Sequence, residues 1–280
     1  MPAGLAPLLT ALEHDSATEA AFASNLDAIF FAGAGADPAL VGRLFAFIDT
    51  HHAAGTGDFM ILSGYGATET GSTLCLSQAP LEAAGELGAP LPGHEVKLAP
   101  VDATFEIRAK GPNLFPGYLT PQGFTPRPCD SDGFFPMGDA GVLRQRRDGR
   151  QVLMFDGRLA EDFKLASGTK IRAGALRSAL RARLAPLVDD VVVAGESRDC
   201  LALILFPAAP SDHDAENEIA RRIDRWNAEN QSPTSRIAIL ARSPVAPSRE
   251  LGEVSEKGQV VASRYLRNQS DFLDQLYADN

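Results

Sequence analysis

Apolar and polar positions alternate in different ways along this chain, and the changes divide it. Over residues 5–24 an Ala- and Leu-rich segment places Leu8, Leu9, Leu12 and Phe22 at helical spacing, which predicts one or two helices. Residues 26–32, apolar but for Asp27, read as a buried strand that runs into Gly33-Ala34-Gly35-Ala36. Asp37 suits an N-cap and Pro38 a first helical position. The helix expected next carries Leu40, Val41, Leu44, Phe45 and Ile48 on one stripe. Residues 59–62 are a second buried strand, expected to stop at Ser63, with glycines following at 64, 66 and 71. Strand, glycine turn, helix, strand, glycine turn is an α/β order. Ligands in open α/β sheets sit at the carboxyl ends of strands, which would let both turns face one crevice.

From about residue 73 to 155 the pattern shortens. Apolar or alternating runs at 96–98, 105–109, 141–143 and 152–155 are punctuated by Gly85, Gly88, Pro90, Pro92, Gly93, Gly111, Pro112, Pro116 and Gly117. That suits an antiparallel β segment with many turns, and Asp148-Gly149 marks a hairpin. A denser α/β segment follows. It comprises a helix over 173–184 with Leu176, Leu180 and Leu184 inward, and strands at 191–194 and 201–206. An amphipathic helix over 215–230 buries Ile219, Ile223 and Trp226; a strand at 237–240 and a helical tail complete the segment. The shift near 156–162 is the candidate boundary. We therefore expect two domains, 1–159 and 160–280.

Charge and composition narrow the function classes. Of 280 residues, 45% are hydrophobic and 22% charged, as in globular proteins, and the net charge is −10. A nucleic-acid surface would carry a basic patch, so no nucleic-acid partner is expected. No run approaches the roughly 18 apolar residues of a membrane span, and the N-terminus lacks the basic start of a signal peptide. Cys75, Cys129 and Cys200 lie far apart, which suits a reducing cytoplasm. The five histidines lack metal spacing; His51-His52 and Asp212-His213-Asp214 read as solvated surface.

The chemistry concentrates at residues 61–72. Glycines allow close approach of backbone to a ligand. Tyr65 offers a flat face, Thr68 a hydroxyl and Glu69 a hard oxygen ligand for a divalent cation such as magnesium. This is what a nucleotide phosphate requires, although a glycine-rich turn between two elements has the same composition.

The order of the remaining signals carries more. The glycine turn at 33–35, Gly64-Tyr65-Gly66-Ala67-Thr68-Glu69, Gly138-Asp139, Gly157-Arg158 and a late Lys257 follow one another in a series that resembles the adenylate-forming superfamily. Acyl- and aryl-CoA synthetases, luciferases and adenylation domains belong to it. The wording of residues 107–118, 155–168 and 252–258 is most similar to feruloyl-CoA synthase.

The resemblance implies an α/β (α+β) fold. Its first part would be the C-terminal part of a large AMP-binding domain, an α/β layer plus a small β-barrel-like subdomain. A small, mobile α+β C-terminal domain would follow. The implied reaction activates a carboxylic acid with ATP to an acyl-adenylate, from which coenzyme A displaces AMP. By resemblance Tyr65 packs on adenine, Thr68 bonds the α-phosphate, Glu69 helps place Mg2+, and Gly33, Ala34, Gly35, Gly64 and Gly66 line the nucleotide. Asp139 takes the ribose hydroxyls and Arg158 bonds the ribose or phosphate side. Lys257 neutralises charge during adenylation. Lys170 stands where many synthetases carry a phosphate-binding arginine. The hinge of the small domain falls at Ala160 or Glu161, because the chain carries one residue more than the common spacing between Arg158 and Gly168.

One family element is not found: no Ser/Thr/Gly-rich phosphate loop precedes Gly64. The chain therefore resembles the C-terminal half of a synthetase, inactive alone. It would act with a separate chain carrying the other half, or persist as a non-catalytic AMP- or CoA-binding remnant. An unrelated α/β nucleotide-binding protein is the remaining alternative.

Overall fold

The computed structural model describes residues 4–33, 38–102, 104–208, 213–256 and 258–280. The chain forms two compact units, Met1–Asp156 and Gly157–Asn280.

The first unit opens with helices α1 (Leu5–Leu12) and α2 (Ser16–Ser24). Asp15 caps α2, its carboxylate accepting from the backbone N–H groups of Ala17 and Thr18. Strand β1 (Ala28–Ala32), helix α3 (Pro38–Ala54) and strand β2 (Met60–Tyr65) follow. β1 and β2 pair in parallel, with Phe30 opposite Leu62 and Ala32 opposite Gly64. Ile29, Phe31, Phe59 and Ile61 join Leu9, Leu12, Val41 and Leu44 in one core. β1 is half-buried, not fully buried as its apolar run suggests: Phe30 is 53% exposed, on the face turned from that core. On α3 the inward stripe includes Phe47, while Phe45 and Ile48 are only partly covered. The cap expected from Asp37 lies outside the described residues.

Two sequence expectations change here. His51 is not surface but 5% exposed, its ring edge-on to Phe47 at 4.6 Å, with Nδ1 2.8 Å from Thr56 Oγ1 and Nε2 3.2 Å from Glu19 Oε1. Helical phase explains it: residue 51 falls on the side of α3 that carries Leu44 and Phe47. And β2 continues past Ser63 to Tyr65, because Gly64 and Tyr65 pair with Leu76 and Cys75 of β3 (Cys75–Leu76).

β3 leads into β4 (Glu86–Pro90), β5 (Glu95–Val101), β6 (Thr104–Lys110), the two-stranded hairpin β7 (Gly117–Thr120) and β8 (Gly123–Pro126), then β9 (Phe135–Gln145) and β10 (Gln151–Arg158). The antiparallel strands extend the parallel pair into one sheet, ordered β1-β2-β3-β4-β10-β9-β6-β5. Leu74, Ile107, Phe135, Met137 and Leu153 form the core over its antiparallel part.

The second unit contains the short pair β11 (Phe163–Lys164) and β12 (Lys170–Ile171), helix α4 (Ala173–Leu184), strands β13 (Val188–Ala194) and β14 (Leu201–Pro207), helix α5 (His213–Glu229), strand β15 (Ile237–Arg242) and helices α6 (Ala262–Asn268) and α7 (Ser270–Ala278). β14 is central, antiparallel to β13 and parallel to β15. One sheet face, with Val191, Val193, Leu203 and Leu205, packs on Leu176, Leu180, Ile219 and Ile223. The other, with Val192, Ile204 and Phe206, packs on Tyr265 and Leu273. A sheet covered on both sides reads as continuous apolar runs, not as alternation. Among the described residues no helix is long and apolar enough to cross a membrane.

Candidate active site

The carboxyl ends of β1 and β2 lie side by side. Ala32 stands opposite Gly64, so Gly33 leaves one strand beside the place where Tyr65 and Gly66 leave the other. Gly33 has φ +83°, and a methyl group built on it would meet nothing within 4 Å. The remainder of that turn, Ala34 and Gly35, lies outside the described residues.

After β2 the chain folds tightly on itself. Thr68–Thr70 forms a single 3-10 turn. Thr70 is fully buried, its hydroxyl accepting from the Ala67 N–H at 2.9 Å, and the Ser72 N–H closes onto the Ala67 carbonyl at 3.0 Å. A methyl on Gly66 would collide with the Ser72 carbonyl oxygen and sit 2.8 Å from Thr70 Oγ1. Gly66 is thus required by the chain's own return.

Three residues outside the predicted site complete the turn. Asn113 Nδ2 donates to the carbonyls of Thr70 and Thr73, and the Phe115 N–H donates to the Glu69 carbonyl at 2.9 Å. Tyr118 donates its hydroxyl to Glu69 Oε1 at 3.2 Å. Burial, the Glu69 charge and this bond together raise the Tyr118 pKa. All three lie in a glycine- and proline-rich stretch that reads as structural turn, and no local pattern signals a reach of forty or more residues back to the turn.

Thr68 is exposed and Glu69 half-exposed. Among the described residues no group of three or more His, Cys, Asp or Glu side chains is arranged to hold a metal ion. Magnesium commonly keeps its waters and takes only one or two carboxylates plus substrate phosphates, and a single Glu69 carboxylate fits that mode.

Asp139 is not in a turn but within β9, 3% exposed. Its Oδ2 accepts the Tyr65 hydroxyl at 2.7 Å. Tyr65 is itself buried, its ring in the core with Leu74, Leu87 and Met137. The structure thus brings Gly33, Gly64, Tyr65, Gly66, Thr68, Glu69 and Asp139 together within the first unit. A cavity of about 370 Å3 lies elsewhere in that unit, lined by Ser77, Glu86, Leu98, Arg146 and Val152, and contains none of them.

In the second unit Arg158 ends β10, exposed. Gly157, at φ +98°, lies against Gly174 and Ala175 at the start of α4; a methyl on Gly174 would sit 2.6 Å from the Arg158 nitrogen. The two glycines let the strand end and the helix start touch. Lys170 is half-buried on β12. Burial raises the Asp162 pKa, and the charges of Lys170 and Arg172 oppose that rise. Ala160 and Glu161 share the 3-10 turn Leu159–Glu161. Lys257 lies outside the described residues.

Residues 162–280 match the family described as the AMP-binding enzyme C-terminal domain. The chain is 26% identical over 180 residues to a chloroplastic long-chain-fatty-acid–acyl-carrier-protein ligase of Arabidopsis thaliana, covering 59% of this chain and 23% of that protein. It is 30% identical over 160 residues to a long-chain-fatty-acid–CoA ligase of Mycobacterium bovis, covering 55% and 24%. The adenylation domain of a carboxylate reductase from Mycobacterium chelonae superposes with a TM-score of 0.62 at 20% identity, over 89% of this chain and 38% of that one. The chain thus spans about a quarter of the length of these curated relatives. The structural likeness shows the fold, that of adenylate-forming enzyme domains. The sequence matches support the same superfamily.

Proposed function

We propose that this chain supplies the adenylate-binding turn and the C-terminal domain of an acid–CoA ligase. In the reaction a carboxylate oxygen of the acid attacks the α-phosphorus of ATP, the bond to the β-phosphate oxygen breaks, and pyrophosphate leaves. The thiolate of coenzyme A then attacks the acyl carbon and AMP leaves. The observation that carries this reading is the convergence of the Thr68–Glu69 turn, the glycine end of β1 and the Tyr65–Asp139 pair.

The chain's own residues divide the work. Thr68 presents an exposed hydroxyl to donate to an α-phosphate oxygen. Asp139 accepts from the ribose hydroxyls and Tyr65 borders the adenine. Backbone at Gly33, Ala34, Gly35, Gly64 and Gly66 lines the nucleotide. Arg158 and Lys170 serve the ribose and phosphate side. Lys257, as a point charge, neutralises the charge that develops between carboxylate and α-phosphate. Glu69 is the residue to hold Mg2+, which when bound offsets the phosphate charges. Because the chain spans about a quarter of its curated relatives, the phosphate loop and most of the acyl pocket are assigned to polypeptide beyond these residues, in the same or a separate chain. The resemblance of residues 107–118, 155–168 and 252–258 to feruloyl-CoA synthase points to an aromatic acid of the ferulate type, and the free thiols suit the cytoplasm.

Calorimetry of AMP with the 280-residue protein tests the site. Binding that weakens roughly tenfold or more in Asp139→Asn and Thr68→Ala supports it; no binding at millimolar AMP overturns it. Ferulate-dependent ATP–pyrophosphate exchange is expected only on complementation with the remaining segment. Exchange by the chain alone would sink the division of the enzyme, and exchange with palmitate but not ferulate the choice of acid. In the complemented enzyme Lys257→Ala should abolish adenylation and spare thioester formation from preformed acyl-adenylate.

A further inference from the structure

The described residues on either side of Lys257, 254–256 and 258–260, are held in place by the buried carboxylates of Asp190 and Glu253. Val254 and Val260 form an antiparallel bridge. The Ser255 N–H donates to the Gln259 carbonyl at 2.8 Å, and the Gly258 N–H to the Ser255 carbonyl at 2.9 Å. Both backbone groups of Val260 are taken by side chains from distant elements. Its N–H donates to Asp190 Oδ2 at 3.2 Å, and its carbonyl accepts from Arg177 Nη2 at 2.8 Å. The same Nη2 donates to Asp190 Oδ2 at 2.8 Å, and Nη1 donates to Glu161 Oε1 at 2.9 Å. Asp190 Oδ1 accepts from the Val191 N–H at 2.8 Å and from Arg177 Nε at 3.3 Å. On the other side of the turn Glu253, 1% exposed, accepts from the Ser248 N–H and from Asn268 Nδ2, and its carbonyl takes the Val261 N–H at 2.8 Å.

Asp190 is 6% exposed and sits on a strand whose neighbours are Val188, Val191 and Val193. A buried ion pair adds little net stability over well-packed apolar side chains of the same volume, because each ion loses its hydration. What a guanidinium and a carboxylate add is direction. The planar fork of Arg177 meets Glu161, Asp190 and Val260 at once, and only one placement of Val260 satisfies all of them.

We infer that Arg177 and Asp190 are positioning residues that fix the 254–260 turn, and that the step assigned to Lys257 depends on them. The dependence rests on the proposed role of Lys257; the clamp itself does not.

Hydrogen exchange on the full chain reads the clamp directly. In Arg177→Met and, independently, Asp190→Asn, the amides of Ser255, Val260 and Val261 should exchange roughly tenfold faster or more, from the loss of charged hydrogen bonds. Those of Leu203 and Ile204 on the central strand should be unchanged. Arg177→Lys keeps the charge without the fork and should fall between. Unchanged exchange at Val260 and Val261, or acceleration equal to that at Leu203 and Ile204, would overturn the clamp. In the complemented enzyme Arg177→Met should lower acid-dependent ATP–pyrophosphate exchange roughly tenfold while sparing thioester formation from preformed acyl-adenylate; equal loss in both half-reactions would overturn the dependence. If Lys257→Ala keeps full exchange activity while Arg177→Met frees the turn, the role given to Lys257 fails and the clamp stands.

Discussion

The hydroxyl of Tyr65 donates to Oδ2 of Asp139 at 2.7 Å, tying the carboxyl end of β2 to β9. Both side chains are at least nine-tenths buried. A hydrogen bond to a carboxylate contributes more than one between neutral groups, and removing the Tyr65 hydroxyl takes this bond from Asp139 Oδ2. Tyr65→Phe should therefore lose about 2 kcal/mol, read as a lower urea midpoint at unchanged m-value. A Phe variant as stable as the parent would show that the bond contributes nothing to the fold.

The glycines of the two strand-end turns differ in kind, and alanine separates them. At Gly66 a Cβ would sit 2.8 Å from Thr70 Oγ1 and 2.9 Å from the Leu74 nitrogen, besides striking the Ser72 carbonyl. Backbone must shift to admit it, so Gly66→Ala should lose about 3 kcal/mol, the upper range for overpacking. At Gly33 the space is open and only the positive φ opposes a side chain. Gly33→Ala should lose about 1–2 kcal/mol. Urea melts of the two variants check the order; a Gly33 variant less stable than the Gly66 variant would contradict this account.

The elements were legible where the burial geometry is simple. Residues 173–184 show a clean helical stripe and form α4, and the continuous apolar runs of β13 and β14 match a sheet covered on both faces. The run 28–32 misleads because Phe30 faces out while Ile29 and Phe31 face in, and period-two alternation is invisible when every residue of the strand is apolar. Ser63 looks like a stop, yet the strand passes through it. Its N–H donates to Ser77 Oγ and its own hydroxyl donates to the Glu86 carbonyl, so a polar residue is satisfied inside the sheet. Of the site, the residues at strand ends were readable from glycine spacing. Asn113, Tyr118 and Arg177 were not, because each acts through hydrogen bonds to residues distant in sequence, and no local pattern encodes those partners.

Acid should reveal Asp130. Its carboxylate pairs with Lys97 at 2.8 Å and Arg108 at 2.9 Å and accepts the N–H groups of Phe134 and Asp132. Lys97 foremost, then the Phe134 amide, holds its pKa well below the usual carboxylate range. A carboxyl group depressed by folding contributes stability above its unfolded pKa of about 3.9 and loses it as pH falls toward the folded value. Asp130→Asn should thus be less stable than the parent at pH 7, and the gap should close as pH drops below about 4. Urea titrations at neutral and acid pH measure it. A gap that persists unchanged at pH 3 would mean the aspartate acts through shape and not charge.

The three thiols should react in an order set by burial. Cys129 is exposed, Cys200 is half-buried, and Cys75 is fully buried on β3. Burial pushes the Cys75 thiol up to about 12; burial, then the nearby Asp199, raises Cys200. Only the thiolate attacks a disulfide reagent, and at pH 8 a thiol of that pKa is ionised to about one part in ten thousand. Ellman's reagent on the native protein should label Cys129 at once and Cys200 more slowly, with Cys75 labelled only after denaturant is added. Cys129→Ser should remove the fast phase and nothing else. Prompt labelling of Cys75 in the native protein would mean that β3 opens away from Gly64 and Tyr65 at the end of β2.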